Sequence, residues 1–317
     1  MPHSGMLGKP PETWLEDGKR DRANPELWYR TKTWTYPELE AERGAENFAP
    51  FLSVEERRAR WERCNRALDE MARIYRDVNP DVVIIIGKDQ KEIFTTMSPS
   101  LAIYSGETVR NGPPGRVGIY APDHTVVHQA YPELAQHLLR SLQADGFDLM
   151  DLQAWPPNTW LQNADVVPHG FGFVYHRVMG DVAPLTVPVL MNTFYPPTQP
   201  SMSRAIELGK GLLKAIKSWD SDKTVAVIAS GGLSHFVCDE AFDRKLIGML
   251  QAYDFDGLAA IDDRYYQSGT SELKLYVPVM AVMVDTGAEM TLLDYVPCYR
   301  TEAGTGEGMG FMYWKPQ

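Results

Sequence analysis

Several side chains that can move protons or hold metals stand where the sequence suggests that strands end. In "VVIIIGKDQKEIF", residues 82–94, an apolar run stops at Gly87 and Lys88, Asp89, Gln90, Lys91 and Glu92 follow. An acid, an amide and a second acid at the end of a buried strand are candidates to line a site. "SGGLSHF" puts His235 past another strand end, after two glycines that would let backbone approach a ligand closely. There it suits acid–base work and a hydrogen-bonded loop histidine equally. "VPHGFGFVYHR" sets His169 before two glycines and three aromatics. His3 reads as an unordered terminus. Glu272 in "SGTSELK" reads as the first-turn acid of a helix capped by Ser268, Thr270 or Ser271. His124 and His128, in or before a predicted helix with His137, have an i, i+4 spacing that can bind metal, but no HExxH glutamate lies between them. His176 reads as a packing or surface residue. The glycine-rich "AGTGEGMGF" near the end reads as a loop, and no GxSxG, P-loop or GxGxxG is present.

The elements that must carry these residues follow from periodicity. Ser53 and Glu56 form a capping box, after which Trp61, Cys64, Leu68, Met71 and Tyr75 recur on one helical face until Asn79-Pro80. The strand at 82–86 follows. "YPELAQHLLRSLQADGF", "SMSRAIELGKGLLKAIKSW", "DEAFDRKLIGMLQAYDF" and, despite its valines and Pro278, "SELKLYVPVMAVMVDTG" predict helices, while "APLTVPVLMNTF" and "KTVAVIASGG" predict strands. Alternation of strands and helices predicts a single α/β domain over 1–317, with a largely parallel or mixed sheet flanked by helices. Residues 8–52 form a decorated N-terminal segment. Ligands of such sheets bind at the carboxyl ends of strands, here "GKDQ", "NTFYPP" and "SGGLSH".

Composition narrows the partners. The chain of 317 residues is 44% hydrophobic and 23% charged, with a formal net charge of -11. Phosphate binding needs clustered Lys and Arg, so nucleic acid is not expected as a partner. No apolar run reaches the roughly 20 residues that span a bilayer, and the start lacks the regions of a signal peptide. Cys64, Cys238 and Cys298 are scattered, which suggests reduced thiols in a cytoplasmic protein.

Taken in order, "MPHSGML", "PDVVIIIGKDQ", "PHGFGF", "IASGGLSHF" and "SGTSE" resemble the class III extradiol dioxygenases, the family of the protocatechuate 4,5-dioxygenase catalytic subunit. The resemblance implies an α/β fold, usually oligomeric, that cleaves catecholic rings beside the hydroxyls with Fe(II) and O2. By it His3, followed by Gly5 where a proline is usual, matches the first metal histidine and Glu272 the metal carboxylate. His235 matches the histidine that acts as acid–base and contacts oxygen, and His169 the one that contacts substrate. Gln90 stands where the family's second metal histidine belongs. An amide is a weaker ligand for such a metal, and Asp89 or Glu92 are the alternatives. Fe(II) is the metal implied, with Zn(II) or Mn(II) possible on the altered set. The family also has a strand before its first histidine, where this chain has only Met1 and Pro2, so further residues upstream are expected. The expected function is ring cleavage of a small catecholic or phenolic acid by a cytoplasmic homo-oligomer. Residues 8–52, with Trp14, Trp28 and Trp34, would cover the site against water. Arg204 or Arg300 would meet a substrate carboxylate, unless both form structural ion pairs. The alternatives are a non-oxidative metal-dependent hydrolase or C–C lyase, and a degenerate non-catalytic subunit.

Overall fold

The structure is a computed structural model that describes residues 1–113 and 121–316. In chain order, α1 (Trp14–Ala23) precedes a hairpin of β1 (Leu27–Tyr29) and β2 (Lys32–Trp34), then α2 (Tyr36–Arg43) and the long α3 (Val54–Val78). There follow β3 (Val82–Gly87), β4 (Leu101–Tyr104), a hairpin of β5 (Thr108–Asn111) and β6 (Val126–Gln129), α4 (Pro132–Ala144), β7 (Met150–Leu152) and the short α5 (His169–Phe173). The second half comprises β8 (Leu185–Met191), α6 (Met202–Ser218), β9 (Val225–Ala229), β10 (His235–Val237), α7 (Glu240–Gln251), α8 (Phe255–Ala260), α9 (Leu273–Met283), β11 (Glu289–Tyr299) and β12 (Thr305–Lys315).

The main sheet has the order β7-β4-β8-β3-β9. β3 lies parallel to both β8 and β9, while β4 runs antiparallel to β8, so the sheet is mixed. Side chains alternate across a strand, and both faces of β3 are covered. Val83 and Ile85 pack in one core with Cys64 and Leu68 of α3, and Val82, Ile84 and Ile86 in another with α4, α6 and α9. An apolar run without polar alternation is what a central strand buried on both faces requires. Helix α3 begins as expected, with the Ser53 hydroxyl accepting from the Glu56 amide at 3.2 Å. Helix α9 forms in spite of Pro278, and it is buried along nearly its whole length. Among the described residues no helix is long and apolar enough to cross a membrane.

A second, antiparallel sheet, β10-β12-β11, corrects two expectations. "AGTGEGMGF" is the start of β12, not a loop, and His235 opens the strand β10 instead of sitting in a loop. Glycine serves β12 because a Cβ on Gly308 would fall 2.1 Å from Asp243 Oδ2, and one on Gly310 would fall 2.7 Å from Leu233. His128 lies in β6, just before α4, and stacks on Tyr175 with ring centroids 4.5 Å apart. The N-terminal hairpin packs Leu27 and Tyr29 against Val237 of β10 and Ala303, and Trp14 is fully buried in the core beside α3.

β9 is an edge strand. Along it runs an apolar groove of about 610 Å³, lined by Ile228, Val282, Met312 and Trp314 among others.

Candidate active site

Parallel strands that end level bring their following turns together, and here β3, β8 and β9 do so. Lys88 follows β3. Ser230, Gly231 and Gly232 follow β9. The turn Ser268–Glu272 leads into α9 and is tied to the end of β8 by Ser271 Oγ and Thr193 Oγ1 at 3.2 Å. His169 opens α5. His3, His169, His235 and Glu272 therefore converge, although the sequence separates them widely.

Glu272 is the hub. It is 2% exposed, and its Oε2 accepts from the Gly232 amide at 2.6 Å. Its Oε1 faces Lys88 Nζ at 2.8 Å, His235 Nε2 at 3.5 Å and His3 Nε2 at 3.8 Å. Burial would raise the pKa of this carboxyl, but Lys88, His235 and His3 overcome it and hold the group well below the usual range. It is a carboxylate.

His3 is no loose terminus. The Met1 amine donates to the Ala229 carbonyl at 3.0 Å, and the Gly231 amide donates to the Met1 carbonyl at 2.9 Å. Ser230 Oγ lies 2.6 Å from the Gly170 carbonyl, to which it gives its one proton. It must then accept from His3 Nδ1, 3.1 Å away. That tautomer leaves the Nε2 lone pair facing Glu272. Burial lowers the His3 pKa to about 3, so the ring is neutral.

His235 Nδ1 donates to the Leu233 carbonyl at 2.8 Å, which aims Nε2 at Glu272. Burial alone would lower its pKa. Glu272 and Glu307 outweigh burial and Lys88, so the pKa lies above the ordinary value. Glu307 is the register partner of His235 across β12 and β10. Its own carboxyl is pushed up by burial and by Glu272, against the pull of His235. The two glycines before His235 have a packing reason: a Cβ on Gly232 would lie 2.4 Å from Glu307 Oε1 and 3.1 Å from His235 Nδ1.

His169 forms a dyad. Its Nδ1 is 2.6 Å from Glu92 Oε1, and its backbone N–H donates to Glu92 Oε2 at 2.9 Å. Trp160 stacks on the ring with centroids 5.5 Å apart, and the His3 ring meets it edge-on at 4.9 Å.

These bonds decide the role of the turn after β3. Asp89 accepts from the backbone N–H groups of Lys91, Glu92, Ile93 and Phe94, so it shapes the loop, and Glu92 is committed to His169. Neither stands free to replace a metal histidine. Gln90 is half-buried in the same turn. Arg204 pairs with Glu207 and Arg300 with Asp21, as structural ion pairs do. Sequence reading missed Lys88 and Glu307. An isolated lysine at a strand end looks solvated, and a glutamate among glycines looks like a turn.

A metal ion fits this donor set poorly. A divalent iron site with open positions wants two imidazoles and a carboxylate on one face. Among the described residues no group of three His, Cys, Asp or Glu is arranged to hold an ion. The carboxylate already carries an ammonium. A dication about 4 Å from that ammonium would meet a repulsion of about 8 kcal/mol at an effective dielectric of about 20.

Comparison with known proteins places most of the chain in one family. The family model described as the catalytic LigB subunit of aromatic ring-opening dioxygenase matches residues 49–301. A gallate dioxygenase of Pseudomonas putida is 31% identical over 114 residues, which are 34% of this chain and 29% of that protein. The match thus spans under a third of the relative's length.

Proposed function

The chain belongs to the family of the catalytic LigB subunit of aromatic ring-opening dioxygenases, and from that premise we propose that it takes a small catecholic or phenolic acid and O2 between His3, His169 and His235. His235 removes a proton from a ring hydroxyl and later returns one, and His169, oriented by Glu92, contacts the substrate. The observation that carries this reading is His235 Nε2 aimed at Glu272 Oε1, 3.5 Å away, with Glu307 beyond it. Glu272 and Glu307 raise its pKa against burial, and acid–base work asks the ring both to take a proton and to return one. Extradiol cleavage, beside the hydroxyls, is the finer form of the proposal. Iron chemistry of that kind would draw on His3, Gln90 and Glu272, and Zn(II) or Mn(II) on the same three. That set does not suit a dication beside Lys88. The protein acts in this proposal as a cytoplasmic homo-oligomer, with Cys64, Cys238 and Cys298 as buried free thiols.

The Lys88–Glu272 pair favours a second reading, non-oxidative C–C cleavage of the same substrate class. There His235 protonates the ring carbon that bears a carboxylate. The C–C bond breaks, its electron pair stays on the ring, and CO2 leaves.

The test is turnover of a panel of catechols and hydroxybenzoates, in air with an oxygen electrode and again under argon. Uptake of one O2 per ring lost supports ring opening. Equal turnover under argon supports the second reading. His235→Ala should abolish either, and an unchanged rate would remove its assignment. Absence of turnover in both atmospheres would sink the enzyme reading and leave a non-catalytic subunit.

A further inference from the structure

The residue that sets this site apart is Lys88. It is 1% exposed, and its ammonium stands 2.8 Å from Glu272 Oε1. Among the described residues no acceptor meets Nζ with hydrogen-bond geometry, so it is a buried polar atom without a hydrogen-bond partner there. The Phe194 ring lies 4.7 Å away and takes up one side of the charge. An ammonium has three N–H donors. A buried donor left unused costs free energy, and an oxygen anion in the cleft would answer that need.

Charge balance points the same way. Lys88 Nζ stands against the Glu272 carboxyl at 2.8 Å and balances its charge. The pair is self-contained. A dication added to it would leave an uncompensated double charge in a site with little water to screen it. A monoanion beside Lys88 would add a single charge, facing a fixed cation and next to the His235 imidazole. A lysine supplies a compact point charge on a long stem, which is what remains of a metal ion's role once its open coordination positions are gone.

We propose that Lys88 takes the place of a metal ion at Glu272, and that its free N–H donors bind the ionised phenolic or carboxylate oxygen of the substrate directly. Lys88 is then a substrate-binding residue, and the site needs no metal to hold its ligand. This rests on the substrate class proposed above.

The probe is 4-nitrocatechol, whose absorbance reports its ionisation, titrated into the full chain after dialysis against a chelator. Co(II) uptake is measured in parallel from its visible spectrum. The wild type should bind the probe as an anion with the same affinity before and after chelation, and should hold well under one equivalent of Co(II). Lys88→Met should weaken the probe about ten- to a hundredfold, the range expected for a charged hydrogen bond. That variant leaves Glu272 buried without its partner and could fail to fold. Lys88→Met combined with Glu272→Gln removes both charges, keeps the packing, and should show the same loss. Probe binding that appears only with added metal would overturn the proposal and leave the substrate class standing. Unchanged affinity in a folded variant lacking Lys88 would also overturn it. No probe binding with or without metal would overturn both.

Discussion

Asp243 offers a stability test that reaches the candidate site through one turn of chain. Its side chain is fully buried and accepts from the Ser234 amide at 2.9 Å, the Ser234 hydroxyl at 2.7 Å and the Tyr295 hydroxyl at 2.7 Å. Ser234 precedes His235, so this carboxyl anchors the start of β10. Burial pushes its pKa from the ordinary 3.8 up to about 7, against the pull of those three bonds. The folded protein therefore holds this proton more tightly than the unfolded chain does. Asp243 contributes stability at low pH, and that contribution is lost as pH rises from about 4 to about 7. A shift of about three units is worth about 4 kcal/mol over the whole window, and about 3 kcal/mol of it falls between about pH 4.5 and about pH 8. Asp243→Asn removes the titration. Urea unfolding of both proteins across that range should show the wild-type advantage shrinking by about 3 kcal/mol as pH rises. A difference that stays flat, or grows, would mean that Asp243 is ionised in the folded protein and that its surroundings are more polar than its burial indicates.

Two further substitutions probe the site itself. In Gly269→Ala a Cβ would lie 2.1 Å from His235 Cδ2 and 2.5 Å from the His235 carbonyl oxygen. The imidazole must move, so turnover should fall about 100-fold with the circular dichroism spectrum kept, and a rate near wild type would show that the position of His235 is immaterial. Glu92→Gln keeps the shape of the His169 dyad and removes its charge, so kcat/KM should drop about 10-fold or more. An unaltered kcat/KM would mean that His169 does not touch substrate.

Much of the frame was legible because it depends on local pattern. Ile84, Ile85 and Ile86 could only be a doubly covered strand, and the Ser53–Glu56 box marked the start of α3. The site was legible only by resemblance, since its geometry depends on partners far apart in the chain. His3 is fixed by Ser230, 227 residues away, and nothing near Met1 announces that contact. Lys88 was passed over for the same reason: its meaning lies in Glu272. Glu307 was hidden by glycines whose cause is close packing of β12 on Asp243 and Leu233, a demand that three dimensions impose and a one-dimensional pattern does not display.

The groove beside β9 bears on how the protein is handled at the bench. Its walls include Val225, Ile228, Val279, Val282, Met312 and Trp314, an apolar trough along an edge strand. A dye that brightens in apolar surroundings should find a berth in such a trough before any unfolding begins, which would start dye-based melting curves from a high signal and flatten them. Intrinsic tryptophan emission or calorimetry is the sounder readout for the pH series on Asp243.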